Sequence, residues 1–313
     1  MKRIIMLLLT ALAAMAALAG CTQKPDETRD LDTKLRVTTT IFPPYDFTRE
    51  IAGGLVNLTM LLPPASESHS YEPTPKDIIA LQNSDVFIYV GGESDDWVER
   101  VLASMDTSKM TLIGLIDSVK ALEEESVEGM QADEEEGEAL DEHIWTAPRN
   151  AISIVRAIAA ALAQKDAANA ENYRRRAAEY IAQLEELHRS FEAATIHAAR
   201  RTIVFADRFP FRYLADAYKL TYFAAFPGCS TETEPSAATV AFLIDKIRAE
   251  KIPVVFHIEL SNERMADTIS EATGAKKLLL HACHNISKQD FTNGVRCIDL
   301  YRRNAENLKE ALR

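Results

Sequence analysis

Pro63-Pro64-Ala65-Ser66-Glu67-Ser68-His69-Ser70-Tyr71-Glu72-Pro73-Thr74-Pro75-Lys76 comes after a mostly apolar run, Leu58–Leu62, broken only by Thr59. That run reads as the end of a buried strand, the prolines make residues 63–74 a loop, and Pro75 opens a helix. His69 is therefore expected just past the carboxyl end of a strand, the edge at which open α/β sheets bind ligands. A single histidine there is more often structural than functional. Three further residues repeat the arrangement: His143, Asp207 and His281 each lie beyond an expected strand. Two of the four fall in the first half of the chain and two in the second, which points to one metal ion held between two lobes.

Working outward, residues 34–166 alternate strand and helix. Leu35–Thr39, Leu55–Leu62, Asp85–Val90 and Met110–Ile116 read as strands. Helices are expected from Pro43 to Gly53-Gly54, over Lys76–Gln82, around Trp97-Val98 and over 150–164. Such alternation implies a parallel, doubly wound sheet with right-handed crossovers. Residues 167–200 read as one long helix. Tyr173, Ala177, Tyr180, Leu184, Leu187, Phe191 and Ala194 form a single apolar stripe at spacings of three and four. It is long enough to join two lobes as a rigid spine, and His188 and His197 on it are read as non-ligands. Residues 201–313 repeat the α/β logic, with strands at Thr202–Phe205, Leu220–Phe226, Ile252–Glu259 and Lys277–Leu280. The fold class is thus α/β, with two doubly wound α/β lobes and the metal site in the cleft between them.

The loop 122–142 carries Glu123-Glu124-Glu125, Glu128, Asp133-Glu134-Glu135-Glu136, Glu138 and Asp141-Glu142. A block of like charge repels itself, so this loop is expected to be disordered, with a weak cation-collecting role as its functional reading. It ends at His143-Ile144-Trp145, where the preceding acid is placed to orient the imidazole.

Composition excludes some classes and favours others. The net charge of −12 argues against a nucleic-acid partner and suits cations. Lys2-Arg3, the apolar run Ile4–Ala19 and Leu18-Ala19-Gly20-Cys21 read as a signal peptide over 1–20, cleaved to leave a lipid-modified Cys21. Residues 21–33 would then be a polar tether, placing the protein on a membrane rather than through it. Cys229, Cys283 and Cys297 remain, an odd number. A bridge is expected between Cys229 and Cys283, both following strands near the candidate site, with Cys283–Cys297 as the alternative.

His69, His143, Asp207 and His281 together offer three imidazoles and a carboxylate, which matches a closed tetrahedral zinc site better than magnesium or calcium. Glu259 is a candidate supporting acid, and His257 and His284 are reserve ligands. A zinc-dependent hydrolase is the enzymatic alternative, with Glu259 as its base if Asp207 is not a ligand. No His-Glu-x-x-His helix, Ser/His/Asp order or phosphate loop supports it, so no enzyme is expected.

Several motifs together resemble a known family. They are Leu18-Ala19-Gly20-Cys21, His69-Ser70-Tyr71-Glu72-Pro73-Thr74-Pro75, Gly91-Gly92-Glu93 with Trp97, Asp141-Glu142-His143-Ile144-Trp145, and Asn172-Tyr173. Over essentially the whole mature length the chain resembles the zinc- and manganese-binding solute receptors of ATP-binding-cassette (ABC) importers, a branch that includes metal-binding lipoprotein adhesins. The resemblance implies two α/β lobes joined by a rigid helix, an ion in the cleft, and delivery of that ion to the importer's membrane permease. It further implies an extracytoplasmic, lipid-anchored monomer that binds Zn2+, with Mn2+ or an adhesin role as the alternatives. The family's third ligand, a histidine or glutamate, falls on Asp207 here, and its fourth, usually an aspartate, falls on His281. The histidine-rich loop of many zinc-binding members is replaced by the acidic run.

Overall fold

The computed structural model describes residues 34–131, 139–230 and 234–313, the Glu93 side chain excepted. The expected leader, Cys21 and the tether lie outside the described residues, as do residues 132–138 of the acidic loop. Among the described residues, no helix is long and apolar enough to cross a membrane.

Two parallel four-stranded sheets carry the fold. The first contains β1 (Leu35–Thr39), β2 (Val56–Met60), β3 (Val86–Tyr89) and β4 (Thr111–Gly114) in the order β2-β1-β3-β4. The second contains β5 (Thr202–Phe209), β6 (Thr221–Pro227), β7 (Val254–His257) and β8 (Lys276–Leu279) in the order β6-β5-β7-β8. The two orders are the same topology, and every strand pair is parallel. All the loops leaving strand carboxyl ends therefore emerge on one edge of each sheet, as the sequence alternation implies.

Helices close the connections for local reasons. α1 (Phe42–Ala52) begins with two prolines in its first turn and stops at Gly53, whose φ of 54° is a left-handed conformation that glycine adopts without a side-chain clash. α2 (Pro75–Gln82) has proline at its start and a reciprocal capping box, Thr74 with Asp77. α3 (Asp96–Leu102) and α4 (Pro148–Lys165) complete the first lobe. α5 (Ala170–Ile196) is the long helix, 27 residues or roughly 40 Å. Its stripe of Tyr173, Ala177, Tyr180, Leu184, Leu187, Phe191 and Ala194 is buried, as the spacing predicts. The second lobe adds α6 (Arg212–Tyr218), α7 (Ala237–Glu250), α8 (Arg264–Thr273), α9 (Lys288–Thr292) and α10 (Cys297–Ala311). α5 packs on α1 and α4 from the first lobe and on α6 and α10 from the second.

The lobes are knitted by more than this helix. Cys297 N donates to Asp46 Oδ2 at 2.8 Å, Trp145 Nε1 to the Ala282 carbonyl at 2.7 Å, and Tyr301 Oη to the Trp145 carbonyl at 3.0 Å. Asn285 Nδ2 reaches the Pro63 and Ser66 carbonyls at 2.7 and 2.9 Å. These bonds tie the His69 loop and the His143 segment directly to the loop after β8.

Two sequence expectations change. The strand expected to stop at Phe205 runs on to Phe209, with a register shift against β6 between Phe205 and Arg208. Asp207 therefore sits within a strand, not beyond one, because the irregular register accommodates extra residues without ending the pairing. The acidic loop is not a free arm at its described ends. Glu124 N bonds the Ala139 carbonyl and Asp141 N the Leu122 carbonyl, each at 2.9 Å. Glu125 pairs with Arg212, and Gln131 N bonds the Ala225 carbonyl. Cations and backbone groups of the second lobe offset the self-repulsion that the charge pattern suggested.

Leu184 is fully buried in the stripe that both lobes share. Leu184→Ala should lower unfolding stability by about 2–5 kcal/mol, whereas the exposed neighbour in Glu185→Ala should change it by less than about 0.5 kcal/mol. Urea unfolding followed by circular dichroism distinguishes a spine from an appended arm. Equal effects would remove the helix from the shared core.

Candidate metal centre

The β2–α2 loop supplies His69, the segment ahead of α4 supplies His143, and the loop after β8 supplies His284. One ligand nitrogen from each lies within 4.8 Å of the other two. Their ring centroids are 5.6 Å (His69–His143), 5.2 Å (His69–His284) and 4.6 Å (His143–His284) apart. No two of the three are neighbours in sequence, and the last comes from the other lobe.

Each imidazole is backed by a carboxylate. His69 Nδ1 is 3.2 Å from Glu142 Oε1 and 2.9 Å from Ser94 Oγ. His143 Nδ1 is 3.0 Å from Asp141 Oδ1, and His284 Nδ1 is 3.7 Å from Glu259 Oε1. With Nδ1 directed at an acid, the proton resides there and Nε2 keeps its lone pair. The Nε2 atoms of His143 and His284 are both buried and lack a hydrogen-bond partner. Buried polar atoms are nearly always satisfied, so two orphaned acceptors on rings whose centroids are 4.6 Å apart imply a missing positive partner.

The acids are themselves held. Ser94 N donates to Glu142 Oε2 at 3.1 Å, and the Ser94 hydroxyl donates to Oε1. Glu259 accepts from Ala282 N at 2.7 Å and His284 N at 3.0 Å. Burial alone would push both carboxyls up. His69, His143 and Ser94 instead hold Glu142 at about 2, and His281, His284 and the backbone hold Glu259 at about 2. Burial and the neighbouring His143 and His69 rings bring His284 down to about 4, so its ring is neutral at neutral pH. Burial also pulls His143 down, but Asp141, Glu142 and Glu124 outweigh it and its net shift is upward.

The remaining expected ligands lie elsewhere. Asp207 Oδ1 accepts from Arg208 N at 2.9 Å and its Oδ2 from Ile258 N at 3.4 Å, with Ser261 as a further donor. It lines a separate depression with Leu260, Asn262 and Met265. His281 Nδ1 is 3.0 Å from Cys283 N and 3.4 Å from Glu259 Oε2, whose charge lifts the ring to about 9 against the pull of burial. With His257, whose Nδ1 is 3.1 Å from the Ile258 carbonyl, it borders a different cavity. The set brought together is thus His69, His143 and His284, not His69, His143, Asp207 and His281. His281 and His284 stand against the two oxygens of one Glu259 carboxylate, at 3.4 and 3.7 Å, with Cys283 between them at φ of 66°, and only His284 joins the other two rings. The motif His281-Ala282-Cys283-His284 contained both rings, but no periodicity in a loop says which of them faces the cleft.

The Cys229–Cys283 bridge is not formed. All three described cysteines are free thiols. The Cys283 sulfur hydrogen-bonds with that of Cys297, while the Cys229 sulfur lies with His69 and Glu142.

The chain matches the family model described as "Zinc-uptake complex component A periplasmic" over residues 37–311. It is 31% identical over 282 residues to the high-affinity zinc uptake system protein ZnuA of Bacillus subtilis, covering 89% of this chain and 88% of that one. It is 30% identical over 313 residues to the zinc-binding lipoprotein AdcA of Streptococcus pneumoniae, covering 99% of this chain and 61% of that longer protein. The Zn(II)-bound ZnuA-like domain of S. pneumoniae AdcA superposes with a TM-score of 0.76 at 29% identity, over 89% of this chain and 99% of that one.

Glu142→Ala should release the His69 ring from its fixed tautomer and orientation and weaken cation binding by roughly 10–100-fold. Competition against a chromophoric chelator measures it. Undiminished affinity would show that the Glu142–His69 pair does not organise the site.

Proposed function

This chain belongs to the zinc-uptake component A family, and on that basis we propose that it is an extracytoplasmic zinc receptor whose His69, His143 and His284 grip the ion through Nε2. Membership makes it a transport receptor rather than an enzyme. The observation that carries the ligand assignment is the pair of buried, unpartnered Nε2 atoms on His143 and His284 beside His69. Imidazoles suit zinc better than magnesium or calcium. Zinc here is cargo: it is bound, carried and given up to the permease of an ABC importer. The lipoprotein description of AdcA fits Leu18-Ala19-Gly20-Cys21, and we take Cys21 as the membrane anchor.

The arrangement accounts for both tight binding and release. The carboxylates raise the basicity of the rings and neutralise the charge brought in by the ion. The ligands come from both lobes, so separating the loop after β8 from the His69 loop breaks the coordination set. That gives a permease a mechanical route to unloading. Asn285, adjacent to His284, bonds the Pro63 and Ser66 carbonyls and is the local tie that such a movement would break.

His143→Ala and His284→Ala should each abolish stoichiometric tight zinc binding. His188, whose Nδ1 is 2.8 Å from Tyr218 Oη on α6, lies away from the cleft, and His188→Ala should bind zinc normally. Native mass spectrometry of the three variants tests this, and full zinc retention in the first two would overturn the assignment. Binding should also release protons. His143 titrates above the usual value of about 6.5, so the ion displaces a proton from it at and below neutrality. Affinity should fall as pH falls, by about tenfold per unit for each proton displaced. Calorimetry in two buffers of different ionisation enthalpy reads the release. Equal apparent enthalpies near pH 6 would count against ligation by His143.

A further inference from the structure

We propose that Cys229 is the fourth donor, and that the ion binds to three imidazole nitrogens and one thiolate sulfur. This rests on the zinc-receptor reading above. Three imidazoles leave one corner of a tetrahedron, and a closed zinc site needs that corner filled by the protein. Asp207, the acid that aligned there in sequence, is engaged by Arg208 N and Ile258 N and does not join the three rings. The Cys229 sulfur, one His69 nitrogen and one Glu142 oxygen lie within 4.8 Å of one another. His69 thus belongs to both groupings, and the sulfur meets the imidazole triad at that ring.

Glu142 and Cys229 are not equivalent candidates. The Glu142 oxygens already serve His69 Nδ1, the Ser94 hydroxyl and Ser94 N. The Cys229 thiol is free. Burial and the Glu142, Glu124 and Asp141 carboxylates push the Cys229 thiol up, against the Glu142 backbone N–H directed at its sulfur, so the thiolate forms only against the charge of a bound cation. Cys229 is also fixed in place, since its own N donates to Glu124 Oε1 at 2.8 Å. The residue before it reinforces the point. A Cβ on Gly228 would come 3.0 Å from His143 Cε1 and 3.1 Å from Nδ1. Glycine lets the loop after β6 close directly onto a metal-binding ring and bring Cys229 with it. Zinc bonds of about 2.0 Å to nitrogen and 2.3 Å to sulfur put neighbouring donors roughly 3.5 Å apart. The sulfur and the His69 nitrogen already lie within 4.8 Å, and the loop after β6 would close further around the ion. On binding, the S–H bond breaks, its electron pair forms the S–metal bond, and the proton leaves to solvent.

Sulfur is a soft donor and manganese a hard acceptor, so a thiolate in this corner selects zinc over manganese. The specificity would then reside in a residue of the second lobe's loop rather than in the acidic run.

The test uses the full chain, reduced and stripped of metal, and titrated with Co2+ as a spectroscopic probe. The expected result is a near-ultraviolet thiolate-to-cobalt charge-transfer band that saturates at one equivalent. It should persist in Cys283→Ser and Cys297→Ser and vanish in Cys229→Ser, which should still bind cobalt but prefer zinc over manganese less strongly. Stoichiometric cobalt binding with visible bands but no charge-transfer band would overturn the sulfur ligand and leave the receptor reading standing. A chain that binds neither cobalt nor zinc would overturn both. Because the decisive band is read on the unsubstituted protein, misfolding of a variant cannot mask the answer.

Discussion

Three closely packed imidazoles, each with Nδ1 turned to a carboxylate and two of them with a buried, unpartnered Nε2, impose the central constraint on this molecule. Burying His143 and His284 with an unpaired acceptor costs about 1–3 kcal/mol of stability for each such atom. The fold tolerates this only because Asp141 and Glu259 hold the rings in place from behind. A cation supplies what the Nε2 atoms lack. The Glu142 and Glu259 carboxylates, kept ionised by the rings and by hydrogen-bond donors, offset the charge that an ion brings.

The fold delivers the three rings through a simple geometric rule. In each parallel sheet the loops after the strands leave on a single edge, and the two sheets have the same strand order. Residues distant in sequence can therefore meet if the two edges face each other. α5 and the hydrogen bonds from Asp46, Trp145 and Asn285 set that facing. The Trp145 and Asn285 bonds act on the segments that carry the three rings, so a change in the seam between the lobes moves the rings.

Charge plays a different part from the one its distribution along the chain suggests. The acidic run looks like a solvated collector of cations. At its described ends it is an element of the second lobe's surface, with Glu125 on Arg212 and Glu124 beneath Cys229. The acids that back the three rings are Asp141 and Glu142, at the very end of that run, and Glu259. Two of these were visible beside His143 in sequence, and the third lies just past β7.

Sequence alone determined the strands, the helices and the long apolar stripe, because periodic burial writes itself into residue spacing. It also determined that His69 and His143 lie in loops beyond strand ends, since prolines and apolar runs mark those boundaries locally. Only the tertiary structure decided the third ring. His281 and His284 are three residues apart and both stand against Glu259, yet only His284 joins His69 and His143. Likewise the register shift in β5 kept Asp207 inside a strand, and packing put Cys283 against Cys297 and Cys229 beside His69. The register and the Cys283–Cys297 contact are set by packing within the second lobe, whereas the meetings of His284 and Cys229 with His69 depend on how the two sheet edges face each other, and no local pattern of side chains carries that information.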